Sequence, residues 1–367
     1  MSSFSITYQV TVYDGEEVKE KVEWICLEQS VEVPRDVVSD ALFDQVVGQV
    51  RSIKESSKNV YKICIEWSLA NVGEDPTQFL NLLFGNISLK KGIKVIDIEW
   101  GKLTGILKGP GVGIEEMRMR YNFPNRALTC GVLKPLGLNT FELAERAREM
   151  ARGGIDLIKD DHGLADQTYA PFYDRIHTVV QVLNELETET GHRARYFPHI
   201  TTSGTRALER YRIAADAGVD GVMVIPHTMG YEVMHEMAQC DIELPIIAHP
   251  AFSGALVMDS SHGIAPSVIY GGLFRAFGAD CVIYPNTGGR FSFSEEECEM
   301  INTQARNEVK GWKLSFPMPG GGMNRDTISN WARKYGNDTI FLIGASLFQH
   351  PLGITKAVEE LQESLSN

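Results

Sequence analysis

Hydrophobic and polar residues alternate in short segments near the N-terminus, and this pattern predicts strands with helices between them. Strands are predicted at 4–12, 31–34, 60–67 and 93–100, and helices at 14–24, 41–53 and 77–84. Strands and helices mixed in this way indicate a small α+β domain over residues 1–108, which ends near the glycine-rich turn at 109–113.

From residue 127 the pattern becomes regular, because short apolar strands alternate with helical segments. Helices are predicted at 140–152, 205–217, 266–277 and 295–309, and the strands at 127–133, 155–158, 194–200, 221–225, 246–248, 281–284, 314–316 and 339–343. Strands that are each followed by a helix predict a (β/α)8 TIM barrel over residues 109–367. An open doubly wound sheet is the alternative, but no glycine-rich dinucleotide fingerprint supports it.

Composition narrows the class of protein. The chain has 367 residues, of which 43% are hydrophobic, and its net charge is −13. These values exclude a mainly disordered chain and disfavour a general nucleic-acid surface. The six cysteines are scattered without a CxxC pair, as expected for reduced thiols. Because no signal peptide or apolar run of about 20 residues is found, we expect a cytoplasmic protein without a membrane span.

The stretch GGIDLIKDDHG at 153–163 ends a buried strand with Lys159, Asp160, Asp161 and His162. In a barrel such residues lie at the mouth, and alternation along the strand points Lys159 and Asp161 to the same side. A lysine that has taken up CO₂ becomes a carbamate, which would give Mg²⁺ a second anionic oxygen ligand beside Asp161. A Lys–Asp ion pair that caps the strand is the alternative.

Other strand ends carry candidate acid–base groups. His249 ends the apolar strand PIIAH and could move a proton to or from a substrate oxygen. Lys134 ends the first barrel strand in an apolar setting, which would lower its pKa and suit it to proton transfer, although a lysine that extends to water is equally consistent. His199 and His227, after the third and fourth strands, are weaker candidates.

Glycines follow the last two barrel strands, where phosphate sites of such barrels are commonly built. We expect phosphate binding by main-chain N–H groups of five residues, Gly320, Gly321, Gly322, Gly344 and Ala345. A metal, a phosphate anchor and poised bases together suggest enolisation of a sugar phosphate, in which a carbon-bound proton is removed beside a carbonyl.

These residues together resemble the RuBisCO superfamily large chain. Five motifs carry the resemblance: GGIDLIKDDH, GPGVGIEEMRMRYNFPNRALTCGVLKPLGL, IAHPAFSG, PGGG and FLIGASLFQHPLG. The resemblance implies a ferredoxin-like N-terminal domain, Mg²⁺, carbamylation of Lys159 and a homodimer with shared active sites. It also implies that Glu28 in CLEQSVEVP, and Asn81 in FLNLLFGN, contribute to the site of the neighbouring subunit.

The chain also departs from the carboxylase pattern. His162 stands where the family has its third metal ligand, a glutamate, and an imidazole is a poor ligand for Mg²⁺. KPLG lacks the second lysine of the carboxylase motif, Pro250 replaces an arginine, and the strand-six histidine is gone. The lost groups hold the second phosphate of a bisphosphate and the carboxylation intermediate. The resemblance is therefore to the RuBisCO-like proteins, which are not carboxylases.

Two activities of that subgroup act on methylthio-pentose phosphates. The enolase of 2,3-diketo-5-methylthiopentyl 1-phosphate keeps the glutamate and carries a lysine base where this chain has Asn86. Both departures favour the other activity, a Mg²⁺-dependent isomerase of 5-methylthioribulose 1-phosphate. Besides that enolase, a decarboxylase of a sugar-acid phosphate and a non-catalytic regulatory protein are the alternatives.

Overall fold

The computed structural model describes residues 2–291 and 293–366. Two compact units are distinguished: one is formed by Met1–Lys108, Phe252–Ile269 and Val309–Gly311, and the other by Gly109–Ala251, Tyr270–Glu308 and Trp312–Asn367. The strands, in chain order, are β1 Ser3–Thr11, β2 Gln49–Ser57, β3 Val60–Ser68, β4 Ile93–Ile98, β5 Leu128–Leu133, β6 Leu157–Asp160, β7 Arg195–Phe197, β8 Val222–Val224, β9 Ile246–Ala248, β10 Gly263–Ile264, β11 Cys281–Pro285, β12 Phe316–Gly320 and β13 Ile340–Ile343.

The first unit contains a five-stranded sheet in the order β10-β4-β1-β3-β2. β1 pairs with β3 and β4 in antiparallel fashion, and every second residue of β1 is buried. Its α-helices are Val18–Glu28, Asp40–Val46, Pro76–Phe84 and Gly254–Val257, and its 3-10 turns are Arg35–Val37, Leu69–Asn71, Asn86–Leu89 and Trp100–Lys102. A sheet with helices in one unit agrees with the predicted α+β class.

Two predictions in this unit are wrong. Residues 31–34 do not form a strand, and Glu32 adopts φ +55°, outside the extended region. The predicted helix 41–53 ends at Val46, and β2 begins at Gln49. Gly48 separates them, and a Cβ there would lie 2.7 Å from the Trp67 ring. Residues 49–53 form a strand despite their helical spacing, because β2 forms hydrogen bonds along β3.

The second unit contains eight parallel strands in the order β7-β6-β5-β13-β12-β11-β9-β8. A parallel bridge from His199 to Met223 joins the two ends of this order, so the sheet closes into the predicted barrel. The remaining helices are Gly113–Tyr121, Thr140–Arg152, Phe172–Thr190, Thr205–Asp216, Pro226–Met229, Tyr231–Gln239, Phe274–Ala276 after a π-helical segment Ser267–Leu273, Glu295–Arg306, Ile328–Tyr335, Ala345–Phe348 and Ile354–Ser366. Across the described residues, no helix combines the length and the apolar composition needed to cross a membrane.

The barrel interior is filled by side chains from alternate positions of its strands. Buried residues of one cluster include Cys130, Leu157, Phe197 and Ile247. Because successive side chains on a strand point to opposite faces, the inward positions continue towards the strand ends. They reach Lys134, Lys159, Asp161, His199 and His249. The hydrophobic core thus leads directly to a ring of polar groups at the C-terminal mouth.

Two barrel strands lie later in the sequence than predicted. β6 spans Leu157–Asp160 instead of 155–158, and β12 spans Phe316–Gly320 instead of 314–316. Pairing with the neighbouring strand sets the position of β6, since Val132 of β5 lies opposite Lys159. Lys159 is consequently part of the strand and not of the loop after it.

Candidate active site

Lys159 lies inside the barrel and is 2% exposed. Its Nζ donates a hydrogen bond to the main-chain oxygen of Asp160 at 2.8 Å. Burial lowers the pKa of Lys159, although Cys130 and Asp161 oppose this effect. A lowered pKa increases the fraction of neutral amine, which is the form that adds CO₂.

Asp161 forms its ion pair with Lys134, whose Nζ lies 2.9 Å from Asp161 Oδ2. The other oxygen, Oδ1, accepts a hydrogen bond from Gly163 N–H at 2.9 Å. Burial acts to raise the pKa of Asp161, but the Gly163 N–H and the two lysines together hold it below its ordinary value. The apolar setting expected for Lys134 is wrong, because its side chain is 37% exposed and faces a carboxylate.

His162 and His249 meet beside this ion pair. Their rings are stacked, with centroids 4.5 Å apart and planes inclined by 11°. His162 Nδ1 lies 3.4 Å from Asp161 Oδ1. Burial lowers the pKa of His162, and the nearby lysines add to this effect against the opposing charge of Asp161. His162 is the predicted metal ligand and His249 the predicted proton-transfer residue, and their rings are in direct contact.

The hydrogen bonding of His249 assigns its two nitrogens. Ala251 N–H donates to His249 Nδ1 at 3.1 Å, so Nδ1 is the acceptor nitrogen. Burial, followed by the charges of Lys159 and His162, lowers the pKa of His249 well below its ordinary value. The neutral imidazole consequently carries its hydrogen on Nε2 and can donate it to a ligand oxygen.

His199 has the opposite arrangement. Its Nδ1 lies 3.1 Å from the carbonyl oxygen of Leu164, which can only accept, so Nδ1 carries the hydrogen. The ring is buried, and Nε2 has no hydrogen-bond partner among the described residues. Burial lowers the pKa of His199 to about 3, against the opposing effect of the Leu164 hydrogen bond.

A buried ion pair behind the mouth was not foreseen from the sequence. Asp160 and Arg175 are fully buried, with Arg175 Nε 3.1 Å from Asp160 Oδ2. Tyr196 OH donates to Asp160 Oδ1 at 2.8 Å, and His199 N–H donates to Oδ2 at 2.9 Å. Arg175 also donates to the carbonyl oxygens of Ala165 and Ala170. These hydrogen bonds hold the loop that follows Asp161. The outward position of Asp160 in the alternating pattern of β6 is the sequence feature from which this buried ion pair could have been predicted.

The glycine segments after β12 and β13 lie at the same end of the barrel. Gly320 accepts a hydrogen bond from Asn286 N–H at 2.9 Å, and a Cβ on Gly289 would lie 3.3 Å from Gly321 Cα. Gly321 and Gly322 adopt φ +106° and +71°. Gly320 also pairs with Leu342 of β13, which holds the start of this segment between β11 and β13. Gly344 and Ala345 begin the short helix that follows β13.

Glu28 and Asn81, the candidates in the first unit, belong to different helices. Glu28 ends Val18–Glu28, and Asn86 Nδ2 donates to its Oε1 at 3.0 Å. The main-chain oxygen of Asn81 accepts from Gln29 Nε2 at 2.8 Å. Gln29 thus connects the two segments that carry these candidates.

The donor set fits a divalent metal ion only if Lys159 is modified. Among the described residues, no three histidine, cysteine, aspartate or glutamate side chains are grouped so that they could hold a metal ion. Asp161 and His162 supply one carboxylate and one imidazole, and a carbamate on the buried Lys159 would add the anionic oxygen that Mg²⁺ requires. Burial lowers the pKa of the Lys159 amine, and this favours the neutral form that reacts with CO₂.

A surface cavity of about 430 Å³ lies away from these groups. It is lined by residues of Thr140–Arg152 and Phe172–Thr190, among them Phe141, Tyr173 and His177. None of its lining residues is a predicted site residue. The strand ends, where the titratable groups converge, are the stronger candidate for chemistry.

Comparison with known proteins adds independent information. The family model described as ribulose bisphosphate carboxylase large chain, catalytic domain, matches residues 113–366. A 5-methylthioribulose-1-phosphate isomerase of Rhodospirillum rubrum is 36% identical over 346 residues, which cover 94% of this chain and 91% of that protein. A 2,3-diketo-5-methylthiopentyl-1-phosphate enolase of Bacillus pumilus is 31% identical over 364 residues, which cover 96% and 89%. The crystal structure of a rubisco-like protein from Alicyclobacillus acidocaldarius has a TM-score of 0.91 at 27% identity and covers 99% of this chain and 93% of its own.

Proposed function

Because the chain belongs to the ribulose bisphosphate carboxylase large-chain family, as a RuBisCO-like protein, we propose that it is an isomerase of 5-methylthioribulose 1-phosphate without carboxylase activity. The observation that carries the proposal is the convergence of Lys134, Asp161 and the buried Lys159 at the barrel mouth. The activity named for the Rhodospirillum rubrum relative supports this choice.

The residues of the mouth are assigned complementary functions. Lys159 as its carbamate, Asp161 and His162 would hold Mg²⁺, which supplies positive charge that favours an enediolate. Lys134 is assigned proton transfer at carbon, because its side chain is more exposed than those of Asp161 and Lys159 and its Nζ lies 2.9 Å from Asp161 Oδ2. His249 donates its Nε2–H to the substrate carbonyl oxygen. Gly320, Gly321, Gly322, Gly344 and Ala345 bind the single phosphate through main-chain N–H groups.

Isomerisation balances within the substrate. A proton leaves the hydroxyl-bearing carbon beside the carbonyl, and the carbonyl oxygen takes up a proton to give an enediol. The other enediol hydroxyl then loses its proton as a new carbonyl forms at its carbon, and a proton is added to the former carbonyl carbon. No oxidant or CO₂ is consumed. The departures from the carboxylase pattern are consistent with this chemistry, since Pro250 and Tyr284 supply no basic side chain for a second phosphate.

Deuterium exchange tests the proposal. The protein, with Mg²⁺ and bicarbonate, is incubated in D₂O with 5-methylthioribulose 1-phosphate, and mass spectrometry follows deuterium at the carbons beside the carbonyl. We expect deuterium incorporation together with an isomeric product. In Lys134→Met the rate of exchange should fall by at least roughly 100-fold. Absence of exchange in the unmodified chain would refute the isomerase.

The enolase is the second candidate, because the Bacillus pumilus relative carries that name. The enolase is distinguished from the isomerase by supplying 2,3-diketo-5-methylthiopentyl 1-phosphate and following the decay of the diketone absorbance. Asn86, which donates to Glu28, bears on this choice because an amide cannot act as the lysine base does. Turnover of the diketone without exchange of the ketose would favour the enolase.

We also propose a homodimer in which Glu28 and Asn81 serve the site of the partner copy. Light scattering should give twice the 40.8 kDa mass of one chain. Glu28→Gln and Lys159→Met are each expected to be inactive. Mixed and reassociated, they should regain part of the activity, because one site of a hybrid dimer is then intact. A mixture without activity would contradict shared sites.

A further inference from the structure

His199 is a buried polar side chain without an assigned function. It follows β7 directly, with an inward position two residues after the core residue Phe197. β6 and β7 pair with Lys159 opposite Phe197, so two residues further on Asp161 and His199 follow on neighbouring strands. The ring is 3% exposed. The topology therefore brings His199 into the ring of groups that includes Lys134, Asp161 and His249.

Two hydrogen bonds fix the orientation of this imidazole. The main-chain N–H of His199 donates to Asp160 Oδ2 at 2.9 Å, and Asp160 is itself paired with Arg175. The side-chain Nδ1 donates to Leu164 O at 3.1 Å. Because Leu164 lies in the loop after β6, the tautomer is set by a backbone group that cannot change its role. Nε2 is left as a lone-pair acceptor.

That acceptor has no partner among the described residues. A buried polar atom without a hydrogen bond costs free energy, and such atoms are rare in folded proteins unless a ligand or a water satisfies them. His249 offers a donor N–H, whereas His199 offers an acceptor. His249 therefore suits the carbonyl oxygen of a substrate, and His199 suits a neighbouring hydroxyl group.

We propose that His199 is a further substrate-binding residue, whose Nε2 accepts a hydrogen bond from a hydroxyl group of a polyhydroxylated sugar phosphate. The inference rests on the proposed function only for the identity of that sugar phosphate. A hydrogen bond to the Nε2 lone pair orients the hydroxyl group, and analogues that lack this hydroxyl group bind more weakly.

A matched pair of variants separates this function from a structural one. Asn places an N–H donor near the position of Nδ1, so His199→Asn keeps the bond to Leu164 but removes the acceptor. Gln reaches the position of Nε2, so His199→Gln keeps an acceptor there. We expect His199→Asn to fold with unchanged thermal stability and to lose roughly 10- to 100-fold in kcat/KM, mainly through KM, and His199→Gln to recover part of it. Equal loss of stability and activity in both variants would overturn the proposal.

Nitrogen NMR gives a readout that does not require turnover. In protein labelled with ¹⁵N-histidine, His199 Nε2 should show the resonance of an unprotonated nitrogen, assigned by its loss in His199→Asn. Addition of a pentitol 1-phosphate, which has hydroxyl groups but no carbonyl and cannot react, should move that resonance upfield. An unchanged resonance, or no binding of the pentitol phosphate, would overturn the proposal. Absence of deuterium exchange combined with this shift would refute the isomerase and leave the assignment of His199 intact.

Discussion

The rings of His162 and His249 lie in face-to-face contact, 4.5 Å between centroids, at the point where the loops after β6 and β9 meet. His162 also faces Asp161 through Nδ1 at 3.4 Å. A glutamate at position 162 could not stack, so the exchange of carboxylate for imidazole changes both the packing and the charge of the proposed metal site. The net effect is one anionic ligand fewer for the cation.

Replacing His162 by a carboxylate should strengthen Mg²⁺ binding. We expect His162→Glu to lower the Mg²⁺ dissociation constant by roughly 10-fold or more, because a hard anionic oxygen replaces a neutral nitrogen. The measurement is the rise of melting temperature with Mg²⁺ concentration in bicarbonate buffer. His162→Gln is the control, since it also removes the stack but adds no charge. Equal affinities of the two variants would contradict the prediction.

Carbamylation of Lys159 can be observed directly. With ¹³C-bicarbonate and Mg²⁺, the protein should show a carbamate carbon signal that is absent from Lys159→Met. Lys94→Met is the control because Lys94 is also a buried lysine, 7% exposed, but lies in the first unit. The signal should persist in that control. A spectrum without a carbamate in the unmodified chain would remove the proposed third metal ligand.

The buried pair of Asp160 and Arg175 should be important for stability. Removing one partner leaves an uncompensated buried charge, so Arg175→Met is expected to cost about 3–5 kcal/mol of unfolding free energy. The double variant Asp160→Asn with Arg175→Met should recover part of that loss, because the carboxylate charge is removed as well. Urea unfolding followed by circular dichroism measures both. If Arg175→Met costs under about 1 kcal/mol, the pair is not the support of the loop that we infer.

Gly321 offers a test of the phosphate site with an internal control. Alanine at a position with φ +106° should cost about 1–2 kcal/mol in backbone strain and shift the N–H groups of the segment. We expect Gly321→Ala to weaken inorganic phosphate binding roughly 10-fold by calorimetry. Gly336→Ala, at φ +82° after the helix Ile328–Tyr335, is also a strained substitution. It should lower stability but leave phosphate binding unchanged, and equal losses of affinity would argue against the site.

Acid should destabilise the protein through His227. Burial lowers its pKa to about 4 from 6.5, so the unfolded chain binds more protons between these values and stability falls as the pH falls. Relative to His227→Phe, the wild type should lose roughly 2–3 kcal/mol between pH 7 and pH 4.5. The comparison of variants is needed because burial raises the pKa of Asp280 to about 6, which acts in the opposite direction. A constant difference between the two proteins across this range would contradict the assignment.

The sequence by itself determined the architecture and much of the polar mouth. Regular alternation of strands and helices after residue 127 predicted the barrel, and the period of two along the strand predicted that Lys159 and Asp161 point to the same side. The motifs identified the family. These features are local or repeat at short intervals, so a single chain displays them without knowledge of its contacts.

The tertiary structure alone decided which groups meet. Pairing along β3 places residues 49–53, predicted as the end of a helix, in strand β2, and the ion pair of Asp161 is made with Lys134, which follows a different strand. The stack of His162 on His249 and the tautomer of His199 likewise depend on loops distant in sequence. The physical reason is that hydrogen bonds and ring contacts act within a few ångströms, and such distances follow from strand register and barrel closure, which the sequence pattern does not express.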